Sequence, residues 1–175
     1  MPEPIDINGF IGAVCESPYG WIKNGCDGLG EEQLHYRPTQ DSNPIVWLVW
    51  HLSRAEDQVT ETISGEGEVW VTEGWNERFG MPADATGAGD RPEQVAALRV
   101  TSDLLFGYAD AAHRVTLQRL AKITPEQLEQ PVVYVLGDTR PTWQAIRGML
   151  GDSYQHTGHI TYLRGMITGK GWRAT

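Results

Sequence analysis

GDSYQHTGHITYLRG, residues 151 to 165, is the stretch on which the reading of this chain turns. Asp152 and His156 are four residues apart in it, so on an α-helix they share a face and can both reach one ion. Ala145, Met149, Ile160, Leu163 and Ile167 continue the 3.6-residue period on either side, with Asp152 and His156 taking the intervening steps. The polar pair is therefore expected to replace core positions of a long helix and not to lie on its solvent face. An unpaired carboxylate in such a core costs on the order of several kcal/mol, and a metal ion is the most direct compensation.

A third ligand is available far upstream. His51 lies in NPIVWLVWHLSRAED, residues 43 to 57, on the same side as Leu48, Leu52, Ala55, Val59 and Ile63. Two imidazoles and one carboxylate suit zinc or a similar divalent ion, and three protein ligands leave a position open for water or substrate. Two blander readings stand beside this one: a core histidine satisfied by hydrogen bonds, and an Asp–His pair on a helix surface. His156 with His159, three residues apart, is an alternative pair for one ion. Glu56 lies about 140° around the helix from His51, where it can hold a histidine nitrogen or an arginine of a neighbouring helix. His113 and His35 are assigned packing or surface roles.

Outward from these two segments the chain divides into four long helical stretches, the pattern of an all-α four-helix bundle with its site in the core. The first runs from about Ile5 to Asp27, with a kink expected at Pro18. The second opens on Asn43 as N-cap with Pro44 in the first turn and ends at Gly65. A third is expected from Pro92 to about Lys122, on the spacing of Val95, Leu98, Leu105, Tyr108, Ala112, Val115 and Leu120. Thr124, Pro125 and Gln127 then read as cap, first and third positions of a single helical turn. PVVYVLGD, residues 131 to 138, has strand propensity but no obvious partner and is expected as an extended connection. The fourth helix starts near Pro141 and stops before Gly169.

Residues 66 to 90 form a long connection between the second and third helices. Trp70, Trp75 and Phe79 give it either a hydrophobic cluster covering one end of the bundle or a lid that shapes a pocket. No internal repeat or glycine-rich phosphate loop is present.

At 175 residues the chain is expected to form a single domain, 1–175, long enough to bury roughly 70% of its unfolded surface. Its 23 acidic side chains outnumber 14 basic ones, for a net charge of −9, which disfavours a nucleic-acid partner. Charge is uneven: residues 66 to 90 hold six acids against Arg78, whereas residues 140 to 175 hold Arg140, Arg147, Arg164, Lys170 and Arg173 against Asp152. An anionic small molecule is the natural neighbour of the basic end. The start, MPEPIDING, lacks the pattern of a signal peptide, and IVWLVW is too short to span a bilayer, so the expectation is a cytoplasmic protein without a membrane partner. Cys15 and Cys26 match no redox or zinc spacing and are expected as free thiols.

NPIVWLVWHLSRAED early and QHTGHITYLRGMITG late, with GWNERFG between them, resemble the DinB/YfiT-like superfamily. The likeness is strongest to its actinobacterial branch related to mycothiol-dependent S-transferases. That resemblance implies a four-helix bundle, often a homodimer, and a divalent ion, zinc or alternatively nickel, held by three side chains. The first ligand falls on His51, and His156, followed by Thr157, Gly158 and His159, takes the last place. Asp152 stands where a histidine is commoner. The resemblance further implies a low-molecular-weight thiol such as mycothiol, deprotonated at the metal, and an electrophilic small molecule as its partner. A metal-dependent thiol S-transferase or related isomerase is one expectation; a non-enzymatic stress-response or small-molecule-binding module is the other. Tyr154, His159 and Arg164 are candidates for orienting the reactants, and Trp75 and Phe79 for lining the thiol pocket.

Overall fold

A computed structural model describes residues 6 to 135 and 137 to 170. Ile5 and Arg173, which figured in the expectations above, lie outside them. In chain order the elements are α1 (Ile7–Cys26), α2 (Glu31–Leu34), α3 (Ile45–Ser64), α4 (Val69–Thr72), α5 (Trp75–Phe79), α6 (Pro92–Ala97), α7 (Ser102–Leu120), α8 (Pro125–Glu129), β1 (Pro131–Val133), β2 (Thr139–Pro141) and α9 (Thr142–Thr168). The four long helices pack in a ring: α3 lies against α7 and α9, and α1 lies against the same two. The all-α bundle is thus present, with one small ribbon added.

The helix ends follow local chemistry. Asp6 caps α1 by accepting from the Gly9 amide, and the helix runs on through a buried Pro18. Pro44, not Asn43, is the N-cap of α3; its ψ of 164° keeps it outside the helix, where its missing N–H costs nothing. The α3 helix stops at Gly65, whose φ of 69° is the left-handed conformation that glycine adopts freely.

Two expectations are corrected here. The single helix expected from Pro92 to Lys122 is α6 and α7. Leu98 leaves the helical region at ψ 103°, and the Thr101 hydroxyl starts a new helix by accepting from the Leu104 amide. Apolar period alone does not register a capping residue in mid-pattern. The extended segment 131 to 138 does have a partner: β1 pairs antiparallel with β2, Val132 opposite Arg140. The Thr124 turn is present as α8 with its capping box.

Buried apolar side chains form two clusters. One gathers Ile22, Leu48, Trp50, Trp70, Leu105, Tyr108 and Ile160, and the other Ile11, Cys15, Val59, Leu120, Ile146 and Met149. Between them the helices contribute polar residues: Glu56 and Thr60 from α3, His113 and Thr116 from α7, Ser153 and Thr157 from α9. This belt determines the setting of the site. On α9 the buried line is Met149, Ser153, Thr157, Ile160, so Asp152 and His156 stand one step to its side. Both registers satisfy spacings of three and four; the small hydroxyl residues take the interior and the larger ionisable pair takes the edge. The expectation that Asp152 is a core carboxylate is corrected accordingly, because a third of its side chain is exposed.

Residues 66 to 90 combine both roles considered for them. Trp70, Trp75 and Phe79 pack around Tyr108 in the larger core cluster. Thr86 to Gly89 instead lie over α3 beside His51 and line a groove.

Candidate metal centre

His51 reaches the site from the second turn of α3. Its Nδ1 donates to the Thr86 carbonyl at 2.6 Å, which turns Nε2 toward α9. There Asp152 meets it, Oδ2 lying 3.5 Å from His51 Nε2, while Oδ1 lies 3.3 Å from His156 Nε2. One ligand atom from each of the three residues falls within 4.8 Å of the others. Trp47 stacks flat on the His51 ring, with centroids 4.8 Å apart and planes 14° apart, and its indole N–H is fixed by Asp90 at 3.0 Å. The imidazole is therefore held by a carbonyl on one edge and an aromatic face on one side.

Gly87 makes this approach possible. Its φ is 83°, and a Cβ built on it would come within 3.0 Å of Trp47, His51 and Trp50. Only a residue without a side chain lets the loop lie so close to the imidazole.

Electrostatics concentrate on Asp152. Burial works to raise its pKa, but the imidazoles of His156 and His51 hold the carboxyl well below the ordinary carboxylate range. For His51 burial pulls downward, and the Asp152 hydrogen bond, the Thr86 carbonyl and the charges of Asp152 and Asp90 together outweigh it, so the pKa rises. His159 is pushed down by burial and by the neighbouring His156. The carboxylate is thus compensated by two imidazoles and by solvent, and its burial alone does not demand an ion.

The donor set nonetheless fits one. The Thr86 bond assigns the proton of His51 to Nδ1 and leaves Nε2 as the lone-pair nitrogen once a cation replaces the proton shared with Asp152. Separations of 3.3 and 3.5 Å, one to each carboxylate oxygen, with all three ligand atoms within 4.8 Å of one another, leave the three side chains close enough to hold one divalent ion such as zinc. His156 is backed in turn by His159, the two Nδ1 atoms being 3.2 Å apart. His159 therefore stands behind His156 and not in the three-residue cluster.

The remaining candidates divide. Tyr154 borders the groove, but its hydroxyl donates to the Val14 carbonyl of α1 and its ring meets Trp21 edge-on. Arg164 is buried away from the site and donates to the Gly25 and Asp27 carbonyls, closing the end of α1. Trp75 and Phe79 are core residues; the Trp75 ring lies against Gly107 and neither side chain lines the groove. Glu56 does hold a histidine nitrogen, that of His113 at 3.0 Å, and so belongs to the belt and not to His51. Sequence reasoning did not find Thr86, Gly87, Trp47 and Asp90. The glycines of TGAGD were the available signal for a close backbone approach.

The cluster forms part of the wall of an open groove of about 770 Å³ between α3, α9, the 86 to 89 segment and the ribbon, where Tyr134 and Val135 complete the lining. The sequence profile of the DinB superfamily matches residues 25–160, a span that includes all three ligand candidates. The chain belongs to the DinB superfamily. A solved structure, that of the conserved protein of locus from Enterococcus faecalis, superposes with a TM-score of 0.84. That match covers 95% of this chain and 100% of the other at 19% identity, which establishes likeness of fold. No curated protein matches the chain. None of the described helices is long and apolar enough to cross a membrane.

Proposed function

We propose that this DinB protein is a metal-dependent thiol S-transferase, or a related isomerase, acting with a low-molecular-weight thiol of the mycothiol type on an electrophilic small molecule. The observation that carries the reading is the His51, Asp152, His156 cluster in the wall of an open groove, in a superfamily that includes metal-dependent enzymes. Zinc is the ion we assign, with nickel as the alternative that the same ligands accept. A divalent ion held by two neutral imidazoles and one carboxylate keeps net positive charge, which lowers the pKa of an adjacent thiol and supplies thiolate at neutral pH.

The chain's own residues do the rest. Thr86 and Trp47 hold His51 in one orientation, and His159 supports His156, so the ligand edge is preset before substrate arrives. The groove, about 770 Å³ and open to solvent, is the space in which thiol and electrophile meet, and its open mouth lets the thiol proton pass to bulk water. Sulfur then bonds to the electrophilic carbon while the leaving group departs with its electron pair. In addition to an activated alkene, the electrons move to the neighbouring carbon, which takes a proton from water.

The test loads the protein with zinc or nickel and follows loss of free mycothiol with an alkyl halide, an epoxide and an activated alkene. Consumption above the uncatalysed rate, abolished in His156→Ala, is expected. No acceleration with any electrophile, or an equal rate in His156→Ala, would overturn the reading in favour of a binding module without turnover.

A further inference from the structure

Among the polar side chains of the groove that the thiol chemistry does not use, Gln58 and Gln155 are neutral amides, and Arg147 and Tyr134 are the two that can mark an anion site. Arg147 lines it from α9, five residues before Asp152, which is about 7.5 Å along the helix axis. Among the described residues its guanidinium has no hydrogen bond or ion pair. Arg37, Arg54, Arg78, Arg91, Arg114, Arg119, Arg140 and Arg164 all have one or the other. Arg99 is likewise unpaired, but it does not line the groove. In a chain with 23 acidic side chains to 14 basic ones, a groove arginine without a carboxylate partner is available to an external anion.

Tyr134 supplies the second group. Its hydroxyl rests on α9 at Gly148, the residue next to Arg147; a Cβ there would come within 2.7 Å of the oxygen. The ring is fixed by Arg140, whose guanidinium lies 3.8 Å from its centroid and is itself bonded to Asp138. No described residue accepts from the Tyr134 hydroxyl, so this phenol and the Arg147 guanidinium are two free donors in the lining of the same groove. Val59, Val135, Met149 and Leu150 supply an apolar lining around them. The one carboxylate among the groove residues, Asp152, is faced by His51 and His156 and so is matched within the cluster.

We propose that the groove takes an organic acid with an apolar body, its carboxylate bound by Arg147 and the Tyr134 hydroxyl and its other end directed at the His51, Asp152, His156 cluster. The assignment of that acid as the electrophilic co-substrate rests on the thiol-transferase reading; the carboxylate site itself does not.

Binding is measured by calorimetry with the whole chain in the presence of chelator, using 4-phenylbutyrate and its uncharged amide as probes. The acid is expected to bind at least about tenfold more tightly than the amide, the usual return on a charge-assisted contact. Arg147→Gln, a change at an exposed side chain, removes that preference, Arg147→Lys keeps part of it, and Tyr134→Phe reduces it. His156→Ala, which disables the metal cluster, leaves the preference in place, so failure of the metal reading and failure of this one are separate results. Equal affinity for acid and amide, or a preference that survives Arg147→Gln, would overturn the proposal.

Discussion

Gly87 shows how a single position controls the candidate centre. With φ at 83° and three aromatic rings within 3.0 Å of where a Cβ would sit, Gly87→Ala must lift the 86 to 89 segment from His51. The Thr86 bond would lengthen and the imidazole would lose its fixed tautomer. Metal affinity is expected to fall by roughly 10–100-fold, the usual effect of losing such support, while the helical content stays the same. Competition against a chromophoric chelator measures it, and an unchanged affinity would remove Thr86 from the account. The cysteines give a second residue-scale prediction. Burial pushes both thiols up to about 12, with Glu56 and Glu16 adding to the effect at Cys15. At pH 8 the thiolate fraction is roughly one in ten thousand. Ellman's reagent should therefore leave the native protein unmodified and titrate both thiols in guanidinium; rapid labelling of the folded chain would contradict the burial. His51, Asp152 and His156 were legible in the sequence because ligand type and helical spacing are local properties. Thr86 was not, since a backbone carbonyl has no residue signature.

At the scale of elements, the 66 to 90 segment is tied to α3 by one carboxylate. Asp57, fully buried, accepts from the Val69 and Trp70 amides at 2.8 and 2.7 Å and so caps α4, with Arg54, Arg119 and Tyr108 around it. Burial raises its pKa even though those amides and Arg54 pull the other way, which shows how costly the buried charge is. Asp57→Ala leaves the buried Val69 and Trp70 amides without an acceptor and takes one carboxylate from Arg54 and Arg119, which keep Glu68 and Glu66, and is expected to cost roughly 3–5 kcal/mol. Thermal denaturation should show a fall of roughly 10 °C or more, with the larger loss in the residues 66 to 90 by hydrogen exchange. A drop of only a degree or two would mean that the loop is held by its tryptophans alone. SRAED was in view as part of a motif, but a list of side chains does not say which charges will be buried. The break at Leu98 and the ribbon partner at Thr139–Pro141 were missed for a related reason: one depends on a cap inside an apolar pattern, the other on pairing across a turn. Long elements with a strong period, α3 and α9, were placed to within a residue or two.

For the molecule as a whole, the ligands come from two neighbouring helices of the ring, so an ion at His51, Asp152 and His156 would bridge α3 and α9. Such a bridge couples metal binding to stability. At a free zinc concentration a hundredfold above Kd the folded state gains about 2.7 kcal/mol, or roughly 5–10 °C in Tm, reversible by chelator. His51→Phe should abolish that increment, and it should do so without lowering the Tm of the metal-free protein much, since Trp47 can stack on the new ring. The ring of four helices followed from sequence period, but the position of the polar belt and the width of the groove did not, because they depend on which of two equally spaced lines of α9 turns inward. The most direct measurement is the metal content of the purified chain after zinc or nickel loading and removal of excess, by mass spectrometry of the elements. About one equivalent per chain, lost in His156→Ala and in Asp152→Ala, is the expected result. Less than about a tenth of an equivalent after loading would contradict the three-ligand centre.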